Sequence, residues 1–206
     1  MNIDCPCEIA PLPPALVRFT AQGRKGPGSR FCILGTPVVL AVLLTAGLVR
    51  GAEPAAPDPA AQLAGLFIQG CLPFAGDPAA LRAWAARNTL PDLPAQATKA
   101  FLHGAPGRSF DASTPGTKLV LASSDDGICS AVTDHAPTGG VAQSLETGLT
   151  RANVAFRLAI DRDDTNAKAL HYREYLATGN GRSWRILAAT VHDPGGGQAM
   201  LTAAPK

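Results

Sequence analysis

Beyond residue 58 the apolar positions keep two rhythms, a helical one first and an alternating one later. Asp58-Pro59 places a capping side chain before a proline at the first helical position. Leu63, Phe67 and Cys71 then recur at four-residue steps with Leu66 beside them. This predicts a helix running towards Gly70 with Cys71 on its buried stripe. Leu72-Pro73 stops it. Asp77-Pro78 repeats the start signal, and Leu81, Trp84 and Ala85 form the inner face of a second helix ending near Asn88. A third, shorter helix is expected from Pro94 to Leu102, closed by Gly104.

From Arg108 the period shortens to two. Lys118–Ser123 and Ile128–Asp134 flank the turn Ser124-Asp125-Asp126-Gly127, an Asp-Gly hairpin signal. Val141, Leu145 and Leu149 at four-residue steps predict a helix between strands. Val154, Phe156, Leu158 and Ile160 then alternate with Ala155, Arg157, Ala159 and Asp161, the cleanest strand pattern in the chain. His171–Ala177 and Ser183–Val191 form another hairpin around Gly179-Asn180-Gly181-Arg182, and Gln198–Ala203 adds a last short strand. Short turns between strands mean antiparallel pairing. The expected class is α+β: N-terminal helices packed on an antiparallel sheet of about four to six strands, in the order helices then β-β-α-β-β-β, with Gln198–Ala203 as the optional sixth.

Ahead of this domain, Phe31 to Val49 carries no charge, and Pro37 splits the run. Arg18, Arg24, Lys25 and Arg30 precede it. That bias keeps the N-terminus in the cytoplasm and sends the chain beyond Gly51 across the membrane. Residues 1–30 read as a basic or mis-annotated extension, because MNIDCPCEIAPLPPAL looks unlike a signal n-region and translation from Val17 would make an ordinary one. Residues 31–52 read as a signal peptide, favoured by the short apolar core, or as an uncleaved anchor. Residues 53–59 form a Pro/Ala linker, and 60–206 one domain.

Composition changes the picture in one respect. The chain of 206 residues carries 18 basic and 16 acidic residues. The positive excess sits with Arg18, Arg24, Lys25, Arg30 and Arg50 near the leader, leaving the domain slightly acidic and without the basic field that holds nucleic acid. Membrane contact is expected only through residues 31–49, and only if they stay attached.

Of five cysteines, Cys71 and Cys129 alone fall in the exported part, and a disulfide is the default reading in an oxidising compartment. It would stabilise the domain by about 4 kcal/mol on the chain-entropy model. The competing reading, a catalytic thiol, lacks a surrounding His signature. Cys5 and Cys7 fall short of the four ligands of structural zinc.

The segments LFIQGCLPFAGDPAALRAWA, GRSFDAS, KLVLASSDDGICSAV and QAMLTAAP resemble a family of small exported or lipid-anchored proteobacterial proteins to which no activity is attached. The resemblance implies export and a two-cysteine α+β domain. This chain departs from the lipid-anchored relatives in lacking a lipobox cysteine, and no functional residue carries over.

Two acid–histidine neighbours are the catalytic candidates: Asp134-His135 and His192-Asp193. A histidine beside a carboxylate suits a general base or a metal ligand, yet neighbours on an extended segment point to opposite faces. His171 and Glu174 fall on a predicted strand and should face apart, and His103 reads as a helix-end residue. Asp161, Asp163 and Asp164 lack the Gly and terminal Glu of an EF-hand and read as a solvated hairpin tip. No motif points to a cofactor or a resident metal. The expected function is a non-catalytic binding or interaction module of the cell envelope, engaging an envelope protein or a small ligand. The alternative is an envelope hydrolase using His135 or His192.

Overall fold

A computed structural model describes residues 58–164, 169–192 and 197–206. The leader expected at 31–52, its extension and most of the linker lie outside the described residues, as does Asp193. Among the described residues no helix is long and apolar enough to cross a membrane.

Helix α1 (Pro59–Leu66) starts where the Asp58 carboxylate accepts from the Ala60 amide. It continues into a wider π turn, Phe67–Cys71, closed by the Leu72 amide on the Phe67 carbonyl. Leu63, Phe67 and Cys71 all lie fully buried on one stripe, as their spacing requires. A short 3-10 turn (Leu72–Phe74) leads to α2 (Pro78–Arg87), capped by Asp77 on the Ala80 amide. Helix α3 (Ala95–Phe101) buries none of its residues.

Seven strands complete the domain: β1 (Gly107–Asp111), β2 (Leu119–Ser124), β3 (Cys129–Ala136), β4 (Ala155–Asp163), β5 (Leu170–Gly179), β6 (Arg182–Val191) and β7 (Gly197–Pro205). Helix α4 (Thr138–Arg151) stands between β3 and β4. All pairings are antiparallel, in one sheet of order β1-β2-β3-β7-β6-β5-β4. The α+β class holds; the sheet is wider than the four to six strands expected. The added strand is β1, whose Gly107-Arg108-Ser109-Phe110 reads in sequence as a turn feeding a strand with a buried aromatic; Phe110 is buried, and the turn residues are themselves part of the strand. It is held on one edge by β2, which pairs Phe110 with Leu121, and on the other by the segment around Asp92, where the Leu93 amide reaches the Ser109 carbonyl and the Asp111 amide the Pro91 carbonyl.

Helices α1 and α4 pack on one face of the sheet, where Leu145, Leu121, Ile186 and Leu201 are fully buried. Cys71 and Cys129 form a disulfide with Cα atoms 5.5 Å apart. It fastens the π turn to the first residue of β3.

One strand breaks its own sequence rhythm. Phe156 and Leu158 stand opposite Ala177 and Tyr175, as the alternation predicts. The register then shifts between Leu158 and Ile160, so Ile160 stands opposite Glu174 and Asp161 opposite Arg173. This β-bulge at Ala159 turns Ile160 to the outer face, 40% exposed, and swings Asp161 and Asp163 to the inner one. The expectation that Ile160 continues the inner apolar row, with Asp161 outside, is corrected accordingly.

Candidate functional site

The inner face can be followed across the sheet row by row. In one row Phe110, Leu121, Ala131, Leu201, Ala188, Arg173 and Asp161 stand side by side. In the next, Leu119, Thr133, Ala199, Thr190, His171 and Asp163 do the same. Both rows are apolar or neutral until they reach β5 and β4, where they end in ionisable groups. The core face of the sheet thus becomes charged at one corner.

That corner lies under the start of α4. Val141, Leu145 and Leu149 of this helix are buried, while Thr138, Gln143 and Glu146 look onto a groove of about 540 Å³. His171, Arg173, Thr190 and His192 form its opposite wall. A larger hollow of about 650 Å³ between α1 and α4 has only Asp58 and Arg151 as charged groups. The groove is therefore where charge converges.

Its hydrogen bonds form a chain. His171 places Nδ1 at 2.8 Å from Asp163 Oδ1 and Nε2 at 2.8 Å from Asp161 Oδ1. A carboxylate oxygen only accepts, so both contacts are hydrogen bonds at once only for a doubly protonated ring. The other oxygen of Asp161 takes Arg173 Nε at 3.1 Å, and Arg173 also reaches Glu146 at 3.7 Å. Glu146 in turn accepts the Tyr175 hydroxyl at 2.8 Å. His192 stands across the mouth, with Nε2 3.8 Å from Asp163 Oδ1 and its ring edge-on to His171 at 5.7 Å. One oxygen of Asp163 and one nitrogen from each histidine lie within 4.8 Å of one another.

The charges tune one another. Burial pushes the Tyr175 phenol up to about 12, with the hydrogen bond to Glu146 adding to it. Burial acts against the Arg173 charge, but Tyr175, Asp161 and Glu146 outweigh it and hold the guanidinium above its ordinary range.

His192, one of the sequence candidates, is in this groove. His135 and Asp134 are elsewhere, exposed near the end of β3, where the Asp134 carboxylate faces Lys118 at 3.7 Å rather than its neighbour. His171 and Glu174 do face apart: Glu174 pairs with Arg185 at 2.7 Å on the outer side. Asp161 lies within β4 rather than at a hairpin tip; Asp163 is the strand's last residue, 74% exposed, and Asp164 follows it into the β4–β5 connection. Sequence reasoning passed over His171, Asp161 and Asp163 as site residues. The signal that could have found them was that Asp161/Asp163 and His171/Arg173 each alternate at two residues on facing arms of one hairpin.

No family model matches the chain, and neither a curated protein nor a solved structure matches it. The groove has to be read from its own chemistry.

Proposed function

We propose that this protein is an exported binding module of the cell envelope that holds a ligand in the groove between α4 and strands β5 and β6. The observation that carries the reading is the placement of His171, Arg173, Glu146 and His192 around one groove on an otherwise apolar sheet face. Such concavities with a few convergent polar groups are where ligands are held. Export is supported by the buried Cys71–Cys129 bridge, a bond kept in oxidising compartments, and by the uncharged run 31–49.

Expression in a Gram-negative host with its own leader tests this. The protein should appear outside the cytoplasm, with Cys71 and Cys129 refusing a maleimide until reduced. Recovery from the cytosol with both thiols reactive overturns the export half. A second reading, hydrolysis through His192, is favoured by the shared mouth of His192, His171 and Asp163. Turnover of p-nitrophenyl acetate or phosphate that disappears in His192→Ala would replace binding with catalysis; absence of turnover supports the binding module.

A further inference from the structure

We propose that Asp163, His171 and His192 bind a transition-metal ion of the zinc class, with Asp161 as the carboxylate that orients His171. The proposal rests on the groove being the ligand site and names the ligand its mouth accepts.

Three observations lead to it. First, one oxygen and two imidazole nitrogens from three separate chain segments come within 4.8 Å of one another. Zinc holds histidine nitrogen at about 2.0–2.1 Å and carboxylate oxygen at about 2.0–2.2 Å, so a single ion between these atoms spans such separations after small side-chain rotations. Two imidazoles with one carboxylate select zinc, copper, iron or nickel over magnesium and calcium, which favour oxygen. Three protein ligands also leave a position open on the groove side.

Second, the contacts behind the cluster match what a ligating histidine needs. With Nδ1 on the metal side, His171 turns Nε2 to Asp161, whose far oxygen is held by Arg173. A carboxylate on the distal nitrogen fixes tautomer and ring orientation and raises the basicity of the ligating nitrogen. Glu146 and Tyr175 extend the support into the core.

Third, the arrangement depends on the bulge at Ala159. Regular alternation would turn Asp161 and Asp163 to the outer face, away from both histidines. Bulges of this kind re-aim side chains beside functional sites.

The experiment uses the protein as its host produces it, stripped with chelator and treated with iodoacetamide so that no free cysteine contributes a thiolate. Zn²⁺ and Co²⁺ are titrated by calorimetry, and Co²⁺ also by its visible spectrum. The expected result is one ion per chain, with a Co²⁺ spectrum lacking thiolate charge-transfer bands. His171→Ala and His192→Ala should each weaken binding about 100-fold, and Asp161→Asn about 10-fold with unchanged stoichiometry, as for supporting-shell changes. His135→Ala should leave it unchanged. Asp163→Asn and His192→Ala alter exposed side chains (74% and 55%), so folding is not at stake in them. Failure to bind either ion, or binding indifferent to His171→Ala and His192→Ala, overturns the metal site and leaves a salt-bridged corner. That failure is separate from failure of the export reading, which fractionation and thiol state decide whatever zinc does.

Discussion

The carbonyl of Gly127, in the β2–β3 turn, accepts the amide of Gly76, in the loop before α2, at 2.8 Å. A Cβ on Gly127 would stand 2.8 Å from the Gly76 Cα. Both residues have positive φ, 89° and 90°. Two backbones touch here because neither carries a side chain, close in sequence to the Cys71–Cys129 bridge on both strands of the contact.

Gly127→Ala should therefore destabilise the domain by about 2–4 kcal/mol, combining left-handed strain with a backbone clash. Gly116→Ala has similar φ but nothing within 4 Å of its Cβ. It should cost only about 1 kcal/mol, the conformational part alone. Urea midpoints of the two variants compare them; equal losses would mean that the contact with Gly76 carries no weight.

Replacing both Cys71 and Cys129 by Ala should lower stability by about 4 kcal/mol, most of it from a less restricted unfolded chain. Chemical denaturation of the double variant, beside the oxidised and the reduced parent, measures the loss. The reduced parent should fall close to the variant.

Core and edge should respond differently to the same truncation. Leu145→Ala removes a fully buried side chain facing the sheet and should cost about 2–5 kcal/mol. Leu158→Ala on the outer strand β4, where Leu158 is 45% exposed, should change stability by no more than about 0.5 kcal/mol. Thermal unfolding of the pair decides it.

Tyr175 makes stability depend on alkaline pH. Its folded-state phenol is raised from about 10 to about 12. Below pH 10 the folded and unfolded chains both keep the proton, and the stabilisation is fully present. Between pH 10 and about 12 the unfolded chain releases it first, so stability falls as pH rises through this window. Tyr175→Phe should flatten that decline, seen as a smaller difference between urea midpoints at pH 9 and pH 11.5. An unaltered slope would assign the alkaline loss to other groups.

Helix starts, the two-cysteine staple and most strands were legible because each rests on local chemistry. Asp58-Pro59 and Asp77-Pro78 each supply a capping carboxylate and a proline suited to the first turn, and Leu63, Phe67 and Cys71 share a stripe by spacing alone. The β2–β3 and β5–β6 hairpins are dictated by their turn residues. Strand β1 was legible only in part: its buried Phe110 was, but that Gly107-Arg108-Ser109 belongs to the strand follows from its pairing with β2 and with the segment around Asp92. The corner site was hidden for a sharper reason. Alternation along β4 predicts Ile160 inside and Asp161 outside, and a single unpaired residue at Ala159 reverses both.

Local sequence, then, determined which segments coil or extend and which cysteines can join. Tertiary structure alone decided which charges meet. His171, His192, Asp161 and Asp163 come from three strands or strand ends, and their convergence depends on hairpin register and on the bulge. Register is a property of paired chains: one residue of slip turns every later side chain to the opposite face, and no window of a single strand contains that information.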